Sequence, residues 1–291
     1  MLKLVIHGGA GSLEGKTAQA QNIHQSLCII WEKTFEILKE KNAKEAVIHG
    51  IRLLEDDPVF NAGTGSKLQA DGKVRMSAAL MDGVKNKFSG VINVQNIRFP
   101  IEAAALLSKE KNSVLSADQA TNFCRIHGFD EHDPITHSRL QEYEQKSNGS
   151  HGTVGIVALD NKGNIIAGTS TGGIGNEIPG RVSDSPTVAG TYASSKAGVS
   201  CTGIGEEITQ QAVAAKIVTR VEDGMSLNGA VSKTMMESDY FNYSFGLISL
   251  DANGQIEVGK TSELGEVYYA YHNGEKIDTF YNEPVHSVLS D

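Results

Sequence analysis

The sequence predicts an α+β fold in which sheets are layered against helices. Windows with helical periodicity come in groups, separated by groups of short strand-like stretches, without the strict strand–helix alternation of a doubly wound sheet. The chain is also rich in glycine: 31 Gly against 6 Pro in 291 residues mark many tight turns and close backbone approaches. With 40% hydrophobic and 21% charged residues, the composition is that of an ordinary globular chain able to bury a core.

Residues 3–6 read as a short buried strand ending in a turn at His7-Gly8-Gly9. Ile23, Leu27, Ile30, Trp31, Phe35 and Leu38 then recur at helical spacing across a window free of Gly and Pro. Asn42 with Glu45 three residues later has the form of a capping box, opening a second helix that stops before Pro58. Strand-like stretches follow at 74–81 and 88–94. Pro100 opens a helix to Leu107, Ser116 and Gln119 suggest a further capping box, and Gly128 a stop. From 141 to 151 the chain turns polar and Ser/Asn/Gly-rich, the one linker-like stretch. Residues 153–159 and 164–171 form a hairpin around Asp160-Asn161-Lys162-Gly163. A Gly/Pro-rich segment to Gly190, a strand to Cys201, helices at about 206–222 and 227–237, and closing strands complete the chain.

The formal net charge of −9 supplies no basic face for a phosphate backbone, which argues against nucleic acid as a partner. Cys28, Cys124 and Cys201 lie far apart and form no C-x-x-C pair, so neither a disulfide scaffold nor a cysteine zinc site is expected. No apolar run approaches the roughly 20 residues of a membrane span. The first strand leaves no room for a signal peptide, and a cytoplasmic protein without membrane partners is the expectation.

Several motifs compete for a function. Gly168-Thr169-Ser170-Thr171-Gly172 fits the G-x-S-x-G nucleophile elbow, and His7-Gly8-Gly9-Ala10-Gly11 a lipase-like oxyanion loop. The elbow requires a helix directly after the serine, and Gly172, Gly173, Gly175, Pro179 and Gly180 forbid one. The dinucleotide spacing is absent, and Gly63-Thr64-Gly65-Ser66-Lys67 lacks the full P-loop spacing. His127, Glu131, His132 and His137 fit no common metal-ligand pattern and read as surface residues. Gly152-Thr153 stands where a polar linker meets a well-patterned strand. There a Thr hydroxyl could attack the preceding carbonyl. The α-amine freed by cleavage, with a pKa near ~7.7–8.0, is a usable general base at neutral pH. A Thr that merely opens an edge strand is the commoner meaning of the same residues.

The run Gly152-Thr153-Val154-Gly155-Ile156-Val157-Ala158-Leu159-Asp160 resembles the start of the small subunit in the plant-type asparaginase/isoaspartyl peptidase family of N-terminal-nucleophile hydrolases. The likeness continues in order through Thr169-Ser170-Thr171-Gly172-Gly173, Pro179-Gly180-Arg181-Val182, Asp184-Ser185-Pro186 and Ser200-Cys201-Thr202-Gly203-Ile204-Gly205-Glu206. Upstream, His7-Gly8-Gly9-Ala10-Gly11, the run from Leu53 to Gly63, and Met81-Asp82-Gly83 are similar too, so it spans nearly the whole chain.

This resemblance implies a four-layer αββα sandwich, one domain over 1–291, cut into residues 1–152 and 153–291 at Gly152/Thr153 and assembled as an (αβ)2 heterotetramer. It makes Thr153 the nucleophile, with Thr171 hydrogen-bonded near it. Thr202 and the Gly203 amide form the oxyanion hole, and Asn61 lies beside the scissile bond. It assigns Arg181 and Asp184 to a substrate's α-carboxylate and α-ammonium, with Gly203 and Gly205 lining the same site. It also implies a structural sodium ion held by the carbonyls of Leu54, Glu55, Asp57, Phe60, Ala62 and Thr64, and no cofactor for catalysis. The expected activity is hydrolysis of β-aspartyl dipeptides and L-asparagine. An unprocessed relative acting as a binding protein, or a glycosylasparaginase-like amidase, are the alternatives. The departures at Ile204, at Tyr243-Ser244-Phe245-Gly246 and at Lys260-Thr261-Ser262-Glu263 bear on substrate preference, with β-dipeptides favoured over asparagine.

Overall fold

A computed structural model describes residues 1–12, 17–146 and 152–281. The first half of the chain forms β1 (Lys3–Gly11), α1 (Thr17–Glu40), α2 (Ala43–Asp56), β2 (Met76–Asp82), β3 (Lys87–Val94), α3 (Pro100–Leu107), β4 (Val114–Ser116), α4 (Ala117–Ile126) and α5 (His137–Glu144). The second half forms β5 (Val154–Leu159), β6 (Ile165–Thr171), β7 (Thr191–Ala193), β8 (Ala197–Gly203), α6 (Gly205–Gln211), α7 (Val213–Glu222), α8 (Leu227–Asp239), β9 (Phe245–Asp251), β10 (Ile256–Lys260), β11 (Glu266–His272) and β12 (Ile277–Thr279).

The strands make two sheets. One has eight strands in the order β12-β11-β1-β5-β6-β2-β3-β4, the other four in the order β10-β9-β8-β7. Helices α1 to α3 pack against the large sheet, α7 and α8 against the small one, and β1, β5 and β6 touch β8 and β9 across the space between the sheets. Apolar side chains fill each of these spaces: Leu27, Trp31, Leu54 and Ile156 under α1 and α2, Val5, Val157, Ile165 and Ile248 between the sheets, and Ile217, Leu227 and Leu247 under α7 and α8. Every residue of β5 is therefore buried. That is why the strand reads Val-Gly-Ile-Val-Ala-Leu and does not alternate with polar residues: both its faces are dry.

The Asn42 cap forms as expected, its side chain accepting from the Glu45 N–H at 3.0 Å. Four expectations are corrected. The first strand does not stop at Ile6: it runs to Gly11, with an irregular register between His7 and Ala10. Gly8 is needed there because a Cβ would strike the Phe60 ring. Ser116 occupies its N-cap position without a side-chain cap bond; it ends a strand paired in parallel with β3, and Ala117 after it is left-handed at φ 52°, not helical. The start of the expected linker is helical, α5 being capped by Thr136 through the Arg139 N–H; residues 147–151 of it lie outside the described residues. The single helix expected at about 206–222 is two, broken where Ala212 takes a left-handed conformation at φ 49°. Among the described residues, no helix is long and apolar enough to cross a membrane.

Candidate active site

Thr153 directly precedes β5, in the middle of the large sheet, and the pairing of Val154 with Ser170 sets it opposite Thr171 at the end of β6. Both side chains are buried, and their hydroxyl oxygens are 3.0 Å apart. The Gly152 carbonyl accepts the Asn61 N–H at 3.2 Å. Asn61 is itself fixed: its amide nitrogen donates to the Gly173 carbonyl at 2.6 Å, and its side-chain oxygen accepts from the Lys67 N–H at 2.9 Å. Gly152 lies so close that a Cβ on it would meet the Asn61 Cβ at 2.6 Å.

Thr202 lies near the end of β8, and its buried hydroxyl has no partner among the described residues. Asp184 Oδ2 and Ser183 Oγ share that condition. A buried polar atom left unpaired costs about 1–3 kcal/mol, so each of these groups calls for a polar partner that completes it. Gly203 and Gly205 leave the room. A Cβ on Gly203 would meet Phe245 Cα at 2.6 Å, and one on Gly205 would meet Asp184 Oδ1 at 2.8 Å and Arg181 Nη2 at 2.9 Å. Burial pushes the Asp184 carboxyl up to about 7, although the Arg181 guanidinium pulls the other way.

Arg181 is not paired with Asp184. Its guanidinium donates to both oxygens of Glu206, from Nε at 2.6 Å and Nη2 at 2.8 Å. Glu206 was not read as a site residue from the sequence, although it closes the Gly203-Ile204-Gly205 run; it lies 25 positions from its half-buried arginine partner, and no local signal joins the two. His7 was also missed. Its ring is wholly buried, in contact with Ser200 Oγ at 2.9 Å, and burial pushes the imidazole down to about 3 against the opposing effect of a hydrogen bond with the Thr153 backbone.

The 54–64 loop turns at the end of α2, with the Thr64 N–H donating to the Glu55 carbonyl at 2.7 Å and the Phe60 N–H to the Asp57 carbonyl at 3.1 Å. Arg139 Nε ties it from outside through the Gly65 carbonyl at 2.6 Å. The Glu55 carboxyl points inward, accepting from Ser170 Oγ at 2.6 Å and the Ile101 N–H at 3.0 Å. Burial raises that carboxyl well above the usual range. The expected surface histidines are separate: His132 contacts Thr64 Oγ1, His137 contacts Gln141, and His127 bonds the Phe123 carbonyl. Among the described residues, no cluster of three or more His, Cys, Asp or Glu is placed to hold a metal ion.

A family profile described as Asparaginase matches residues 1–151 and 139–281. The chain belongs to the asparaginase family. Within it, the chain is 45% identical to the isoaspartyl peptidase/L-asparaginase of a Nostoc species, over 94% of this chain and 93% of that one. It is 35% identical to the isoaspartyl peptidase of Escherichia coli, over 89% and 90%. It is 33% identical to the plant-type L-asparaginase of Pyrococcus horikoshii, over 93% and 96%. The likeness to these asparaginase-family proteins thus runs the length of both partners in each case.

Proposed function

We propose that this protein is a threonine amidohydrolase that cuts its own Gly152–Thr153 bond and then hydrolyses β-aspartyl dipeptides and L-asparagine to release L-aspartate. One observation carries the reading: the Thr153 hydroxyl sits 3.0 Å from that of Thr171, at a peptide bond whose carbonyl is held by the Asn61 N–H. In self-cleavage the Thr153 Oγ adds to the Gly152 carbonyl carbon and the C–N bond breaks, leaving an ester and a free amine. Water then opens the ester, giving a Gly152 carboxylate. In turnover the α-amine takes the hydroxyl proton as Oγ attacks the substrate's β-carbonyl. The same proton leaves with ammonia or the departing amino acid, and water releases aspartate from the acyl-threonine.

The Thr202 hydroxyl and the Gly203 N–H are the donors for the oxyanion, which explains a buried hydroxyl without a protein partner. Asp184 takes the substrate's α-ammonium, and the α-carboxylate enters the Arg181 fork beside Glu206. An α-linked aspartyl peptide has no free α-carboxylate to offer that fork and forfeits the charge-assisted bonds a carboxylate would make there, so the site should reject it. A sodium ion is the proposed occupant of the 54–64 loop. Its donors, the carbonyls of Leu54, Glu55, Asp57, Phe60, Ala62 and Thr64, are all oxygens, as a hard cation requires, and each carbonyl has a second lone pair beyond the loop's own bonds. The ion would hold the loop that carries Asn61. The helix–sheet–sheet–helix packing supports a four-layer αββα arrangement of the N-terminal-nucleophile type, and a dimer of cleaved chains is the proposed assembly.

The test is a denaturing gel with N-terminal sequencing, followed by parallel kinetics on L-asparagine, β-Asp-Leu and α-Asp-Leu. Fragments split before Thr153, and activity on the first two substrates only, are expected. A single inactive chain for the wild type, or equal hydrolysis of α-Asp-Leu, would overturn the reading.

A further inference from the structure

The start of β9 is held by one buried side chain that the chemistry above does not use. Thr261 follows β10 directly, in the 260–263 run that departs from the family pattern, and it is wholly buried. Its N–H donates to the Phe245 carbonyl at 3.0 Å. A regular antiparallel pair would return a bond from the Phe245 N–H to the Thr261 carbonyl. That carbonyl instead accepts the Leu264 N–H at 3.2 Å, where the chain turns toward β11. The Thr261 hydroxyl stands in for it, accepting from the Phe245 N–H at 3.0 Å and donating back to the Phe245 carbonyl at 3.1 Å.

This arrangement decides where the Gly203 N–H points. Phe245 turns both its backbone groups to Thr261, and successive residues of an antiparallel strand turn theirs to opposite sides. Gly246 therefore faces β8, where it is paired with Thr202, and the Thr202 carbonyl faces β9. Across the trans peptide that follows, the Gly203 N–H points the other way, to the β7 side. Cys201 shows the same alternation, its N–H donating to the Gly190 carbonyl at 2.9 Å. β7 reaches no further, since its last pairing in that direction is Thr191 with Ser200. The room beyond it is bordered by Asp184, whose carboxyl a Cβ on either Gly190 or Gly205 would strike. Phe245 backs Gly203 from the opposite side, close enough that a Cβ on Gly203 would meet its Cα at 2.6 Å.

We propose that Thr261 is a positioning residue for the oxyanion hole: its hydroxyl, in place of a strand carbonyl, keeps the Phe245 backbone turned from Gly203 and so aims the Gly203 N–H into the space beside Asp184. The inference deepens the proposed function and rests on Thr202 and Gly203 being the oxyanion donors. Without the hydroxyl, the buried Phe245 N–H loses its acceptor, and the strand end can satisfy it only by turning its peptides. An oxyanion donor aimed wrongly costs the transition state, while ground-state binding through Arg181 and Asp184 is untouched. Thr261 acts through the backbone and touches no substrate.

The experiment measures kcat and KM per cleaved chain on β-Asp-Leu for Thr261→Val, Thr261→Ser and Thr202→Ala, with the Tm of each. Thr261→Val keeps the shape without the hydroxyl, and should lose roughly 10-fold or more in kcat with KM within about threefold. Thr261→Ser keeps the hydroxyl and should recover most of that loss. If Thr261→Val does not fold, Thr261→Cys, whose thiol donates and accepts weakly, carries the test with a smaller loss of the same kind. Wild-type kcat in Thr261→Val, with or without a lowered Tm, would leave the hydroxyl a merely structural role and overturn the inference. Equal losses in the Ser and Val variants, or a loss expressed in KM, would overturn it too. Wild-type kcat in Thr202→Ala would instead overturn the oxyanion reading beneath it.

Discussion

Asp184 shows how a binding group can cost the fold that carries it. Its carboxyl is buried and pushed up to about 7, whereas in an unfolded chain it would titrate near ~3.9. Between those values the folded state binds a proton that the unfolded state does not, so stability falls as pH rises from about 4 to about 7 and stays lowered above that. Asp184→Asn should therefore have a higher Tm than wild type at pH 8, with the difference shrinking toward zero as pH is lowered through 5. Calorimetry at the two pH values checks this, and a difference independent of pH would contradict it. The same variant should bind L-aspartyl substrates poorly. Thr202 follows a similar logic. Removing a buried hydroxyl with no protein partner costs the fold little, but removes one oxyanion donor, so Thr202→Ala should keep its Tm and lose on the order of 10²-fold in kcat. Turnover unchanged in a correctly cleaved Thr202→Ala would refute the role. Thr153, Thr171, Thr202, Arg181 and Asp184 could be proposed from the sequence because each sits in a recognisable run, and the 3.0 Å contact of Thr153 with Thr171 is the part the structure brings together. The buried contact of His7 could not, since its partner Ser200 is 193 positions away and only the stacking of two sheets brings them together. The Arg181–Glu206 pair was hidden for the same reason.

Elements were legible where their signals are local. Asn42 caps α2 through a bond spanning three residues, and Pro100 opens α3 at its first turn; neither depends on the rest of the molecule. Elements shaped by distant packing were not. Nothing local marks residues 7–11 as strand, because glycine weakens a strand pattern; the segment is extended because β11 pairs with it at Ala10 and Gly11. Ala212 is the clearest case. Helical periodicity runs straight through it, yet the chain turns left-handed there so that the Ala214 N–H can reach the Ala189 carbonyl at 2.8 Å. A left-handed alanine costs roughly 1–2 kcal/mol. Ala212→Gly relieves that strain while loosening the unfolded chain, so a net gain of about 0.5–1 kcal/mol is expected from the urea midpoint. A loss of stability would mean that the turn is not strained.

Across the whole molecule, the boundary at Thr153 divides the large sheet in an unusual way. β1 to β4 lie before it and β5 to β12 after it, yet the sheet order alternates between the two sets at three seams, β11 with β1, β1 with β5, and β6 with β2. Every residue of β5, β6 and β2 is buried besides. Cleavage should therefore leave the fragments bound: one species by gel filtration in native buffer, two bands only under denaturing conditions. Separation in native buffer would contradict this order of strands. The sequence announced strands and helices and the class they build, but strand order depends on which edges meet, and no residue pattern in β1 states that its neighbours will be β5 and β11.

The interleaving also constrains how such a molecule can be made. Residues 1–152 on their own would hold β1 with neither of its neighbours, and residues 153–291 would hold two pairs of strands with a strand's width missing between them. Every seam would be an open edge, the kind of surface that recruits other chains and aggregates. The intact peptide bond at Gly152 acts as a temporary tether: it keeps each half at high effective concentration for the other until the edges are paired, after which cutting it changes little. Two halves synthesised from separate messages should therefore go to the insoluble fraction, where the uncut chain of the same residues stays in solution.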